Sequence, residues 1–154
     1  VALSVDIPGV GRLHLEHLVL DVNGTISDRG RVAAGVAERL SGLTATLQVL
    51  LVSADTFGTL NSLADELNVE SVRVQNGQQK LELVEQLGAD HTVMVGNGAN
   101  DALALGAAVL GIVVIGAEGA SARALQAADV VCTSVADALD LLLDERALAA
   151  TLRR

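Results

Sequence analysis

Asp21 closes an apolar run, Leu18-Val19-Leu20, and a polar stretch with a glycine, Val22-Asn23-Gly24-Thr25-Ile26, follows at once. A carboxylate so placed is held by a buried strand, flanked by free backbone N–H groups and open to solvent on one side. Open α/β sheets bind their ligands at such edges. Ser53 ends a second apolar run, Leu47-Gln48-Val49-Leu50-Leu51-Val52, and Ala54-Asp55-Thr56 follow it. Its hydroxyl can donate one hydrogen bond to a phosphate without adding charge. Lys80 is the sole lysine, beside nine arginines, which suits a site that wants a point charge instead of a planar fork. The densest stretch is Gly96-Asn97-Gly98-Ala99-Asn100-Asp101, between a strand and a helix. It carries two of the three glycines of a dinucleotide-binding loop, but Asp101 stands where the third would be and would repel a pyrophosphate. A carboxylate, a hydroxyl, a fixed cation and an acid-bearing loop are parts that phosphoryl transfer uses. Each also has a plain structural reading. Asp21 can cap a turn, Ser53 or Asp55 can cap a helix, and Lys80 can lie on a helix surface beside Glu82 and Glu85.

The elements that must position these groups alternate between strand and helix. Leu3, Val5 and Ile7, then Leu13 and Leu15, recur at period two across Pro8-Gly9-Val10-Gly11, which predicts an N-terminal β-hairpin. After the Asp21 strand come a polar turn at Ser27-Asp28-Arg29-Gly30-Arg31, a helix from about Val32 to Leu40, the Leu47–Val52 strand and a helix from about Thr56 to Leu67. Ser71-Val72-Arg73-Val74 reads as a short strand, with a helix from about Gln78 to Leu87 carrying Lys80 in its first turn. The strand before Gly96 starts near His91, and its loop opens a helix. Then follow a strand at Val109–Ile115, a helix near Ala120–Ala127, a strand at Asp129–Cys132 and a helix at Val135–Leu143. Leu148–Arg154 is a short segment expected to pack back or to pair between subunits. Parallel strands set all their C-terminal edges on one side of a sheet, so Asp21, Ser53, Lys80 and Asp101 can converge. The expected fold is α/β: a three-layer α/β/α sandwich with a mostly parallel, Rossmann-like sheet, in one domain over residues 1–154.

Composition narrows the partners. A formal charge of −9 with no basic cluster argues against nucleic acid and anionic membranes, and 1% aromatics leave little for stacking on bases or sugars. No apolar run is long enough to span a bilayer. The single cysteine, Cys132, excludes an internal disulfide and suits a reducing cytoplasm. With 51% hydrophobic residues and a mean hydropathy of +0.48, the sheet is expected to be covered on both faces and part of the surface to form a homo-oligomer contact. His14 and His17 lack Cys or carboxylate at ligand spacing and read as solvent-edge residues.

Asp21-Val22-Asn23-Gly24-Thr25-Ile26-Ser27 resembles the D-K-T-G-T-[LI]-T signature of P-type ATPases and, more broadly, the first motif of the haloacid dehalogenase (HAD) superfamily. Ser53-Ala54-Asp55 is similar to the second motif, Lys80 to the third, and Gly96-Asn97-Gly98-Ala99-Asn100-Asp101 to the fourth, G-D-G-x-N-D. This last match is the most specific, and the resemblance covers nearly the whole chain. It is nearest to the small soluble P-type-ATPase-like branch, which looks like an isolated phosphorylation domain. The resemblance implies that Asp21 attacks phosphorus and that Ser53, Ala54, Gly24 and Lys80 bind the phosphate. It further implies Mg²⁺ held by Asp21, Asn23, Asn97 and Asp101, with Thr25, Asp55 and Asn100 in support. A receiver domain also uses Asp, Ser/Thr and Lys, but with its acidic cluster on the first strand and its phosphorylated Asp on a later one, the reverse of this order.

Two positions depart from the pattern. Superfamily phosphatases usually carry a second Asp two residues after the nucleophile, as general acid and base, and Asn23 stands there. Asn cannot transfer a proton at neutral pH. Asn97 replaces the first metal carboxylate of the fourth motif and can offer only a neutral carbonyl oxygen. No cap domain fits between Asp21 and Ser53 or between Ser53 and Lys80, so the site is expected to act on exposed phosphates or to be closed by a neighbour, with the N-terminal hairpin as the candidate contact. The expectation is a slow Mg²⁺-dependent phosphohydrolase acting on a phosphorylated substrate. The alternative is a non-catalytic module on the same fold that binds phosphate, metal or a protein.

Overall fold

Period-two patterning sets the first elements. β1 (Leu3–Ile7) and β2 (Gly11–Leu15) pair antiparallel, Leu3 opposite Leu15 and Ile7 opposite Gly11, with their leucine, valine and isoleucine side chains buried. The computed structural model describes residues 2–28, 31–54 and 58–154. β3 (His17–Asp21) follows directly, then two short strands, β4 (Ser27–Asp28) and β5 (Arg31–Val32), and α1 (Val36–Leu43). The chain continues through β6 (Gln48–Ser53), α2 (Thr59–Leu67), β7 (Glu70–Arg73), α3 (Gly77–Leu87) and β8 (Thr92–Gly96). α4 (Ala102–Ala107), β9 (Leu110–Val114), α5 (Ala122–Ala127), β10 (Val130–Cys132), α6 (Val135–Leu143) and α7 (Glu145–Leu152) complete it.

Six strands form one parallel sheet in the order β10-β9-β8-β3-β6-β7. Its central strands are buried from end to end because both faces are covered. Successive side chains on a strand point to opposite faces, so each strand feeds two cores. Leu18 and Leu20 of β3, Val93 and Val95 of β8, and Leu110 and Ile112 of β9 join α1, α2, α6, α7 and the hairpin. Val19, Val52, Met94 and Val113 face the α3–α5 layer. This is the expected three-layer sandwich with its N-terminal hairpin. Asp21, two residues beyond Val19, points into the same layer as α3. The strand order reverses between β3 and β8, and the crevice beyond their C-terminal ends is where such sheets hold ligands.

Two expectations are corrected, the start of the first helix and the exposure of His17, and between the two alternatives for the C-terminal segment the structure shows packing back. The first helix begins at Val36 instead of Val32, because Val32 pairs back with Ser27 and Gly35, at φ 80, starts the helix four residues later. The C-terminal segment is a helix, capped by the Asp144 side chain, which accepts from Arg146 N and Ala147 N. Its Leu148 is fully buried, and Arg154 N donates to Pro8 O at 2.9 Å, so it packs on this chain's own hairpin. The apolar face of the hairpin is therefore covered within the chain. His14 lies at the solvent edge as expected, but His17 is largely buried, its side chain 18% exposed, and Glu16 sits between the two rings. Among the described residues, no helix is long and apolar enough to cross a membrane.

Candidate active site

β3 delivers Asp21 to the crevice, and the chain then turns at once. Thr25, Ile26 and Ser27 each donate their backbone N–H to Val22 O, and Gly24, at φ 75, returns its N–H to Ser27 O at 2.8 Å. That loop leaves Asn23 exposed at the rim and buries Thr25. β6 ends on Ser53, 3% exposed, with Ala54 open beside it. α3 starts on a side-chain cap, Asn76 Oδ1 accepting from Gln79 N at 2.9 Å. The helix phase so fixed turns Lys80 inward, 4% exposed.

Lys80 Nζ donates to Asp21 Oδ1 at 3.0 Å and to Asp101 Oδ1 at 2.7 Å. The other Asp101 oxygen, Oδ2, accepts from Asn97 N and Gly98 N at 3.0 Å each. A Cβ on Gly96 would lie 2.5 Å from Asp101 Cγ and Oδ2, so this packing requires glycine there. Asp101 is 0% exposed and both its oxygens are engaged. In this arrangement it holds Lys80 and the 96–98 turn. Burial first, and the Asp101 charge second, push Asp21 up to about 7, with Lys80 pulling the other way. Burial works to lower the Lys80 pKa, but the Asp21 and Asp101 charges outweigh it and the net shift is upward.

A cleft of about 250 Å³ opens over this triad, lined by Asp21, Asn23, Ser53, Lys80, Asn97 and, unforeseen in the sequence, Glu118. Ala54, Gly98 and Asn100 also line it. Gly24 and Thr25 lie beside it, Thr25 Oγ1 donating to Asn97 Oδ1 at 3.4 Å. Asp55 lies outside the described residues. An adjoining cavity of about 370 Å³ shares Asn23 and Ser53 with the cleft and continues over Val22, Val32, Leu60 and Leu63 to Glu66. Among the described residues no three His, Cys, Asp or Glu side chains gather as a ready-made metal site. Above about pH 7, where Asp21 is ionised, two buried carboxylates against one ammonium leave the triad net negative. The donors facing the cleft are hard oxygens from Asp21, Asn23, Asn97 and Glu118, which fits Mg²⁺ better than a thiophilic ion.

The Asp21 shift carries a stability prediction. Between its ordinary value of 3.8 and about 7 the folded chain keeps a proton that the unfolded chain has released. Stability without divalent cation therefore falls as pH rises through that window, by at most about 1.4 kcal/mol per pH unit for one group. Urea denaturation from about pH 4.5 to about pH 7.5, which spans most of that window, should show this fall. The Asp21→Asn variant should show a flatter profile, and Mg²⁺ should restore stability to the parent at the alkaline end.

Comparison with known proteins bears on this geometry. Residues 3–108 match the family model described as haloacid dehalogenase-like hydrolase. An uncharacterised protein of Methanocaldococcus jannaschii is 45% identical over 78 residues, which cover 48% of this chain and 84% of that protein. The probable cation-transporting ATPase G of Mycobacterium tuberculosis is 40% identical over 110 residues, 70% of this chain but 14% of the transporter. Among solved structures, a zinc-transporting PIB-type ATPase in its E2.Pi state aligns with a TM-score of 0.65 and 28% identity, over 79% of this chain and 20% of that one. The 3-deoxy-D-manno-octulosonate 8-phosphate phosphatase of Moraxella catarrhalis, in complex with magnesium ion, phosphate ion and its sugar acid, aligns at a TM-score of 0.69. It covers 90% of this chain and 94% of its own, and at 18% identity it shows likeness of fold.

Proposed function

The chain belongs to the haloacid dehalogenase-like hydrolases, and we propose that it is a Mg²⁺-dependent phosphohydrolase working through an aspartyl phosphate on Asp21. Its capless frame is similar to the phosphorylation domain of P-type ATPases. The observation that carries the proposal is the Asp21–Lys80–Asp101 triad, built at the switch point of the sheet and opening on a polar cleft. In the first step an Asp21 oxygen attacks phosphorus, the bond to the leaving oxygen breaks, and that oxygen takes a proton from solvent. In the second, water attacks the same phosphorus, the bond to Asp21 breaks, and inorganic phosphate leaves with the carboxylate restored. Lys80 and Ser53 hold the phosphoryl oxygens, and Asp101 fixes Lys80. Mg²⁺, held by Asp21, Asn23 and Asn97 at the cleft, would neutralise charge on the transferring group and favour ionised Asp21.

Asn23 can neither give nor take the proton that both steps move, so turnover is slow. The organic part of the substrate extends from the cleft over Val22, Val32, Leu60 and Leu63. The test is a broad panel of phosphate esters assayed with Mg²⁺ beside Asp21→Asn. Turnover is expected for the parent chain and none for the variant. A second reading rests on the same two asparagines: a module that binds phosphate or a partner without turnover, which the panel separates by giving equal, background rates.

A further inference from the structure

We propose that Glu118 is the second carboxylate of the divalent-cation site, supplying the charge that Asn97 lacks. The inference rests on the phosphohydrolase reading and adds a residue to its site. Glu118 comes from the loop after β9, at the same edge of the sheet as Asp21 and Asn97. Gly119 N donates to Gly116 O at 2.9 Å and Gly119 takes a φ of 75, closing a tight turn that carries Glu118 near its tip. The turn is fastened to the fourth-motif loop: Asn97 Nδ2 donates to Gly119 O at 3.4 Å, and Ser121 N donates to Asn97 O at 2.8 Å. Asn97 thus braces the loop that brings Glu118 in.

The carboxylate reaches over Gly24. A Cβ there would lie 2.5 Å from Glu118 Oε2 and 2.6 Å from Asn97 Nδ2, so the acid and the amide converge on one point beside the nucleophile loop. Among the described residues Glu118 has no hydrogen-bonding or ionic partner, and the cation of the cleft, Lys80, is already shared by Asp21 and Asp101. An exposed anionic oxygen at the mouth of the cleft that Asp21 lines, next to the position that has lost its acid, suits a bound cation. With Asp101 engaged elsewhere, the set becomes two carboxylates, Asp21 and Glu118, completed by neutral oxygens.

The test measures Mn²⁺, as a reporter for Mg²⁺, by electron paramagnetic resonance and isothermal titration, without substrate. Glu118→Gln should weaken Mn²⁺ by about 10–100-fold, the range seen when a carboxylate supporting a metal is removed. Adding Asn97→Asp to that variant should recover most of the loss, since the charge returns at the neighbouring position. Glu66→Gln removes the same charge from the adjoining cavity and should leave Mn²⁺ affinity unchanged. Equal affinity in the parent and Glu118→Gln, with Asp21→Asn still weakened, overturns the role of Glu118 and leaves the phosphohydrolase reading standing. A loss in Glu66→Gln as large as in Glu118→Gln overturns it too, as does a fall in kcat for Glu118→Gln at unchanged Mn²⁺ affinity. No Mn²⁺ binding to the parent overturns both readings together.

Discussion

Lys80→Met should destabilise the chain by about 3–5 kcal/mol, the cost of leaving buried charge without its partner. The expectation follows from position and not from charge alone. The Lys80 ammonium lies 2.7 Å from Asp101 and 3.0 Å from Asp21, in a pocket where the three side chains are almost wholly covered. Remove it, and two carboxylates face each other in a poorly solvated site, so at least one must take up a proton or draw water in. Lys80→Met with Asp101→Asn should recover a large part of the stability, because one of the two buried charges goes as well, yet turnover should stay absent. Lys80→Arg keeps the charge but brings a planar fork to a place shaped for a point donor, and should also lose most activity. Urea denaturation of the variants, beside a phosphatase assay, decides the matter. A Lys80→Met chain as stable as its parent would mean that the triad is not the electrostatic unit described.

Asn23→Asp should act in the opposite direction and raise kcat by about 10²–10⁴-fold on alkyl phosphates, the usual worth of a general acid–base group. Asn23 stands at the rim of both cavities, two residues from the nucleophile, where a leaving oxygen passes from the cleft to the larger cavity. Aryl phosphates, whose leaving groups need little protonation, should gain less in the step that phosphorylates Asp21. A competing effect has the contrary sign. Asp21 is already pushed up to about 7 by burial and by Asp101, and a further carboxylate nearby raises it again. Mg²⁺ offsets that repulsion, so the gain should be present with Mg²⁺ and vanish without it. No rise on any phosphate at saturating Mg²⁺ would favour the non-catalytic module.

Much of this site is legible in the sequence because strand ends are legible. Asp21, Ser53 and the loop ending at Asp101 each follow an unbroken apolar run, and parallel strands gather their ends at one edge. Lys80 stands out by composition. What stays hidden depends on side-chain direction. The sequence does not show that the two Asp101 oxygens accept from Lys80 and from the 97 and 98 amides. Glu118 sits in Gly116-Ala117-Glu118-Gly119, after the strand next to that of Asn97. An acid between glycines at the same sheet edge is a signal, but only the fold shows which way the turn bends. The late start of α1 is similar: Val32 fits a helical face by spacing, and its pairing with Ser27 is a contact across a turn that periodicity does not see.

Beryllofluoride with Mg²⁺ mimics an acyl phosphate on the carboxylate that receives phosphorus, and it tests the nucleophile without needing the natural substrate. At millimolar Mg²⁺ a crystal soak should place the fluoride on Asp21, within reach of Lys80 and Ser53, and Asp21→Asn should abolish the complex. Beryllofluoride bound elsewhere in the chain, or none bound at that Mg²⁺ level, would contradict Asp21 as the nucleophile.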